Sequence, residues 1–469
     1  MDKLICAVCD TIYDEEKEGV KWEDLPDVWA CPVCESGKAY YKPVDDPGRV
    51  ALNLPGGALG EREDSLEVPQ RVSEIETHMA DIHYIAETGE SIIEPMRTRA
   101  PTFSWGEILI KGAQLAKTPL NHDEPVNTRT IIGPKAEVPL VIDTPLYITH
   151  MSFGALSKEA KTALAKGSAA VGTAMCSGEG GILPESLEQA YRYIFEYVPK
   201  KYSVTEKNLK RVDAIEIKIG QSAKPGMGGH LPGEKVTEEI AAIRGVDKGS
   251  AIISPARFAD IRNREDLRET VARLRETSGG KPIGIKFAAG NVEADLEVAL
   301  FAEPDFITID GRAGATGAAP KFVKAAASVP TIFALYRARK FFDEKGVKDV
   351  SLLITGGLRI SPDFAKALAL GADAVALGTS ALMAIGCQQY RMCGTGKCPT
   401  GITTQDPELR DRLNVDESAE RLKNFLKVST EELKDFARLT GNDDVHKLSI
   451  DDICTTSTEI SNYTAIEHV

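Results

Sequence analysis

Two groups of cysteines carry the clearest chemistry in this 469-residue sequence. Cys6-x-x-Cys9 and Cys31-x-x-Cys34 form a paired Cys-x-x-Cys motif, in which each pair can grip one tetrahedral metal through two thiolates. Iron and zinc share this ligand set, so spacing leaves the choice between them open. Cys387, Cys393 and Cys398 form the second group on a loop that contains Gly394 and Gly396 and ends in Pro399. Three thiolates on one loop fall short of the usual four-cysteine cluster site. They suit a three-iron cluster, or a four-iron cluster with an outside ligand. The chain opens Met-Asp-Lys-Leu-Ile-Cys with no apolar export signal behind it, so a cytoplasmic location is expected. Structural disulfides are rare there, and metal ligation is the better reading of both groups.

A second set of residues could hold a cofactor and an anionic substrate. Lys218, Lys224 and Lys286 lie at or beyond the ends of short apolar runs, where a lysine faces a site more often than solvent. Gly356-Gly357 and Gly378-Thr379 end two further runs, and glycines there let backbone amides approach a phosphate. Tight left-handed turns are the alternative reading of both glycine steps.

The elements that must position these groups follow from the hydrophobic rhythm. Residues 1–45 form a small cysteine- and tryptophan-bearing unit that needs a metal to staple it. Residues 46–95 read as a polar linker with a helix over Ser73–Glu87. From 96 to 415, eight apolar runs alternate with amphipathic stretches: Leu146–Thr149, Thr173–Cys176, Ala214–Lys218, Ala251–Ser254, Ile283–Phe287, Phe306–Asp310, Leu352–Thr355 and Ala374–Leu377. They are rich in Ile, Val and Phe, as buried parallel strands are. Eight strands with helices between them predict an α/β fold, a (β/α)8 TIM barrel with its chemistry at the C-terminal mouth. An open doubly wound sheet is the alternative, disfavoured because no Gly-x-Gly-x-x-Gly turn opens a helix after the first strand. The tail, 416–469, reads as a C-terminal extension of two short helices and a polar end.

Composition excludes some classes of partner. A formal net charge of −14 argues against nucleic acid and anionic membranes, and no stretch approaches a membrane span. With 42% hydrophobic residues the chain can build a large core.

Ile5–Asp14 and Asp24–Cys34 resemble the two halves of rubredoxins, which implies a one-electron Fe(Cys)4 site, with zinc as the alternative. Asp10 and Glu35 depart from that pattern, because glycine usually follows each Cys-x-x-Cys. The rest resembles glutamate synthases of the short archaeal type. The resemblance runs over about 300 residues, through Met151–Ser157, Ser177–Gly181, Ala223–Gly233, Gly356–Arg359, Gly371–Ala374, Gly378–Leu382 and the cysteine loop Gly386–Gln405. It implies that Met151, Ser152, Cys176, Lys218, Gln221, Lys286, Gly356, Gly357, Gly378 and Thr379 contact FMN. It also implies that Cys387, Cys393 and Cys398 hold a 3Fe–4S cluster, with 4Fe–4S as the alternative. Glu179, Lys224 and Arg244 would hold the oxo-acid and its imine, with Lys224, Glu179 and Lys286 catalytic. Simple strand packing is the alternative for Cys176, and a surface ion pair for Arg244.

The implied reaction makes L-glutamate from 2-oxoglutarate and ammonia, with electrons from a ferredoxin-like donor. His230, Phe287–Gly290 and Phe258–Asp260 depart from the large synthases and leave the amine and oxo-acid open. N-methylglutamate synthesis from glutamate and methylamine, or a non-catalytic electron relay, are the alternatives. A sequence beginning Met1-Asp2 lacks the N-terminal cysteine nucleophile of a glutaminase, so ammonia is expected free or from a separate subunit within a homo- or hetero-oligomer.

Overall fold

The computed structural model describes residues 3–6, 11–26, 28–33, 37–44 and 76–469. Cys9, Cys34, Asp10, Glu35, most of the 46–95 linker and the first residues of the expected Ser73–Glu87 helix lie outside the described residues. The chain divides into two compact units, Met1–Ile92 and Ile93–Val469.

In the first unit, strands β1 (Lys3–Cys6), β2 (Ile12–Asp14) and β3 (Tyr41–Pro43) form an antiparallel sheet in the order β2-β1-β3. Its core is mostly aromatic: the rings of Tyr13, Trp22, Trp29 and Tyr41 lie 4.7–5.5 Å apart, mainly edge to face. Cys6 and Cys31 are buried against these rings, and the Tyr41 hydroxyl donates to Cys31 Sγ at 3.2 Å. So few apolar side chains make a thin core, which a shared metal would tie together. A separate helix covers Met79–Thr88 and stops at Gly89, whose φ of 68° only glycine adopts freely.

The second unit is a closed barrel of eight parallel strands: β4 (Leu146–Ile148), β5 (Ala174–Cys176), β6 (Arg192–Tyr197), β7 (Ala214–Lys218), β8 (Ile283–Ala288), β9 (Phe306–Asp310), β10 (Ser351–Thr355) and β11 (Ala374–Leu377). Seven of these strands coincide with the apolar runs. The remaining run, Ala251–Ser254, is not a barrel strand: Ile252–Ile253 pairs antiparallel with His230–Leu231. The true third strand, β6, reads Arg-Tyr-Ile-Phe-Glu-Tyr, and its charges hide it from an apolar-run search.

Alternation along the strands stacks the interior in layers. The lower layer is apolar and includes Tyr147, Cys176, Ile194, Phe306 and Leu353; the hairpin Thr130–Ile132/Leu140–Ile142 closes it from below. One step further along the strands stand Glu196, Glu216, Lys286 and Thr308, all buried. The polar layer is therefore the floor of the mouth.

The tail differs from the expectation of two short helices. Val415–Leu439 is one 25-residue helix (α2), whose Leu422, Leu426 and Leu433 are fully buried. The Ser429-Thr430-Glu431-Glu432 run imitates a capping box. In the structure Ser429 is buried, and Thr430 Oγ1 donates to Leu426 O at 2.8 Å within an unbroken helix. Helix α1 (Lys158–Ala169) packs on α2 at Gly167, where a Cβ would lie 2.8 Å from both Ala419 O and Leu422 Cβ. The helix is thus built into the barrel wall. Leu422→Ala is expected to cost about 2–5 kcal/mol; urea unfolding followed by near-ultraviolet circular dichroism checks it, and an unchanged midpoint would contradict this packing.

Candidate functional site

The floor of the mouth is a buried ion network. Lys286 Nζ lies 2.8 Å from Glu196 Oε1, and both side chains are almost fully enclosed. Burial alone would depress the Lys286 ammonium, but Glu196, Glu216 and Asp310 outweigh it and hold the lysine protonated. Burial likewise works to raise Glu196, and His150, Lys218 and Lys286 reverse it. His150 Nδ1 accepts from the Gly178 N–H at 3.2 Å, and its Nε2 lies 2.9 Å from Glu216 Oε2. Thr308 Oγ1 donates to the other Glu216 oxygen. His150, Glu196 and Glu216 stand close enough to surround a cation, but the Lys286 ammonium already supplies that charge.

The side wall is built from the loops after β5 and β7. Lys218 Nζ pairs with Glu179 Oε2 at 2.6 Å, and the other Glu179 oxygen accepts the Gly229 N–H at 3.1 Å. A Cβ at 229 would lie 2.4 Å from Glu179 Oε1, so a side chain there would push the Glu179 carboxylate out of this position. Burial acts to raise Glu179, and Lys218 outweighs it, so the carboxylate stays ionised. Lys224 is buried with no carboxylate in ion-pair distance among the described residues. Burial first, and Lys218 second, lower it to about 8. Arg244 donates to Phe153 O at 2.6 Å and lies 5.5 Å from the centre of the Tyr202 ring, while its Nε has no partner. It is a half-buried cation at the mouth, not a surface ion pair. Gln221 Nε2 donates to Thr316 Oγ1 at 3.2 Å across the opening.

Gly356 and Gly357 turn the chain after β10 with φ of 119° and 91°. A Cβ at 356 would lie 2.3 Å from Gly311 O, and one at 357 would lie 2.5 Å from Ala313 Cβ. Gly378 and Thr379 follow β11, and the buried Ser380 Oγ beside them has no hydrogen-bond partner. Side-chain-free backbone at two adjacent strand ends, with an unsatisfied hydroxyl, fits the phosphate of a cofactor.

The loop holding Cys387, Cys393 and Cys398 wraps a small separate cavity lined by all three cysteines. Among the described residues their sulfurs do not all close to within 4.8 Å of one another, so they do not form a single-ion site. Spaced around a shared space, they fit an iron–sulfur cluster. Burial, then Cys387 and Cys398, push the Cys393 thiol up to about 11, so a bound cation is what would make it a thiolate. Met96, Leu382, Cys393 and Thr403 line both this cavity and the barrel mouth, and form one thin wall between them.

Twelve of the expected residues surround the one mouth: Met151, Ser152, Glu179, Lys218, Gln221, Lys224, Arg244, Lys286, Gly356, Gly357, Gly378 and Thr379. Cys176 does not join them. Its side chain is 0% exposed in the apolar layer beneath the floor, the packing alternative. Glu196, Glu216 and His150 escaped the sequence reading, although a glutamate inside a buried strand is a usable signal. Lys161 and Lys235 also escaped it. Lys161 Nζ donates to Met151 O, Cys176 O and Ser177 O, each at 2.9 Å. Lys235 Nζ donates to Ala155 O, Cys393 O and Thr403 O at 3.2–3.3 Å, and so ties the cysteine loop to the mouth.

Comparison with known proteins agrees with this architecture. The model of a conserved region in glutamate synthase matches residues 108–443, and the rubredoxin model matches residues 3–41. An archaeal-type glutamate synthase [NADPH] of Thermotoga maritima is 35% identical over 92% of this chain and 86% of its own length. A glutamate synthase large subunit-like protein of Rhizobium meliloti is 37% identical over 81% of this chain and 91% of its own. Among solved structures, a lactate oxidase of Pediococcus acidilactici aligns with a TM-score of 0.49 at 15% identity, covering 75% of this chain and 84% of its own. That likeness is too weak to bear on the site. The family model spans well over half of the chain and the relatives span most of it: the protein belongs to the glutamate synthase family of oxidoreductases.

Proposed function

We propose that the barrel mouth binds FMN, that the cysteine loop carries a 3Fe–4S cluster, and that the chain reduces the imine of 2-oxoglutarate and ammonia to L-glutamate. The observation that carries this reading is the wall shared by the two cavities. Electrons enter singly on one side of it, and an anionic substrate meets cations on the other. Bound FMN supplies hydride, and the metal centres, including an Fe(Cys)4 site at Cys6, Cys9, Cys31 and Cys34, supply single electrons. Two electrons and two protons convert 2-oxoglutarate and ammonia to glutamate and water.

The chain's own residues bind, orient and hold charge. Gly356, Gly357, Gly378, Thr379 and Ser380 would hold the phosphate. Lys286, fixed as a cation by Glu196, and Lys218 would stabilise negative charge developing at the floor. Among the described residues, neither Arg244 nor Lys224 has a carboxylate within ion-pair distance, and they would take the carboxylates of the oxo-acid. Glu179 stays ionised beside Lys218 and would hold the imine nitrogen as a cation. Met151, Ser152 and Gln221 close the cavity around the bound groups. The reading places the protein in the cytoplasm, fed by a ferredoxin-like donor and by free ammonia or a separate glutaminase subunit. Among the described residues no helix is long and apolar enough to cross a membrane.

The anaerobically purified protein, with reduced ferredoxin in one arm and NADPH in the other, is expected to form glutamate from 2-oxoglutarate and ammonium. Glu179→Gln should lower kcat by about 100-fold. Turnover of glutamate with methylamine, and none with the first pair, would transfer the site to N-methylglutamate synthesis. Reduced flavin whose reoxidation ignores both pairs would mark an electron relay.

A pH profile tests the substrate cations. Lys224 is lowered to about 8, so its charge is present below that pH and lost above it. KM for the oxo-acid is expected to rise by about tenfold per pH unit above 8. Lys224→Arg, charged throughout, should flatten that limb; a limb unchanged in this variant would remove Lys224 from substrate binding.

A further inference from the structure

Lys235 stands between the mouth and the cysteine loop. It ends the 3-10 turn Gly233–Lys235, and Thr237 caps the helix that follows, Glu238–Arg244, by accepting the Ile240 N–H. Its backbone is therefore fixed on both sides. The stem packs on the loop: a Cβ at Gly396 would lie 3.4 Å from Lys235 Cγ. The residue lines the mouth, and its Nζ donates to Ala155 O and Cys393 O at 3.3 Å and to Thr403 O at 3.2 Å. Cys393 and Thr403 also line the small cavity that the three cysteines surround.

Three carbonyl acceptors need three N–H donors, so the side chain is an ammonium. It is 5% exposed, and among the described residues no carboxylate stands within ion-pair distance of it. Arg391, a cation of the loop itself, is different. It meets Glu94 at 3.4 Å and places its donors on Pro95 O and Arg97 O. The carbonyls around Lys235 solvate its charge without neutralising it. A buried charge in that state is unfavourable until an opposite charge meets it. An iron–sulfur cluster held by three thiolates would bring net negative charge to the other side of the Cys393 backbone. An added electron makes such a centre more negative, and a fixed cation nearby favours that reduced state.

We propose that Lys235 is a positioning residue for the cysteine loop whose charge raises the reduction potential of the cluster held there. The tie places Cys393 against the mouth, and the charge favours entry of the electron. This inference rests on the cluster reading above.

Redox titration of the anaerobically purified full chain, followed by the electron paramagnetic resonance signal of the oxidised cluster, tests it. Lys235→Met is expected to shift the equilibrium at least about tenfold toward the oxidised form, a fall of about 59 mV for a one-electron couple, with iron and flavin content unchanged. Lys235→Arg keeps the charge and should restore most of the parent potential. If Lys235→Met does not retain the cluster, Lys235→Gln, which keeps amide donors and removes the charge, carries the same expectation. A parent-like midpoint in the neutral variants, or an equal fall in Lys235→Arg, would overturn the proposal. Loss of the cluster from all three variants would make Lys235 a structural tie alone and overturn it too. A parent protein with no cluster signal would remove the cluster reading and this proposal together; an unshifted midpoint in a cluster-bearing variant removes this proposal only.

Discussion

The constraint on which the mouth depends is the burial of Lys286 and Glu196 inside a barrel. Two ions removed from water are costly unless they meet each other and unless their remaining donors and acceptors are filled. Glu196 and Glu216 arrive from neighbouring strands β6 and β7, Lys286 from β8, and Thr308 from β9. Each is aimed inward by the same parity that puts Ile194, Ala214 and Phe306 in the layer beneath. A one-residue slip of any of these strands would leave a charge unpaired in the core. The network therefore pins the register of four strands and holds one positive charge under the opening.

Around that floor, lysines act as ties more than as charges. Lys161 gathers three carbonyls of the loops after β4 and β5. Lys235 gathers three from the mouth and the cysteine loop, and Lys324 takes the carbonyls of Glu94 and Pro95. An ammonium donates three hydrogen bonds, and a loop carbonyl otherwise needs water. Each tie converts a loop that could fluctuate into part of a fixed frame. The wall through Met96, Leu382, Cys393 and Thr403 gains fixity from the Lys235 tie, which holds Cys393 and Thr403 to the mouth; the proposed electron route would need it.

Much of this was legible in the sequence, and the misses have physical reasons. Seven strands announced themselves as buried apolar runs. The third did not, because Arg192 and Glu196 break its pattern, and Glu196 is the residue that later matters most. Ala251–Ser254 looked like a strand because Ile252 is buried, though under the β7 loop and not in the barrel. The glycine steps, Lys218, Lys224 and Glu179 were visible as strand-end chemistry. Cys176 was placed at the mouth by likeness, and strand parity puts it one layer too low. Lys161 lies on an ordinary amphipathic helix, where a lysine reads as solvated; nothing local distinguishes it from Lys158, which makes surface ion pairs.

The central claim is that one wall separates a flavin-binding mouth from an iron–sulfur loop. Metal and flavin analysis of the anaerobically purified chain, with electron paramagnetic resonance of its oxidised form, tests it most directly. The account expects one FMN and about four irons per chain, one in the four-cysteine site and three giving the signal of an oxidised three-iron cluster. A protein that stays colourless after oxygen-free reconstitution, with neither flavin nor cluster iron, would contradict it.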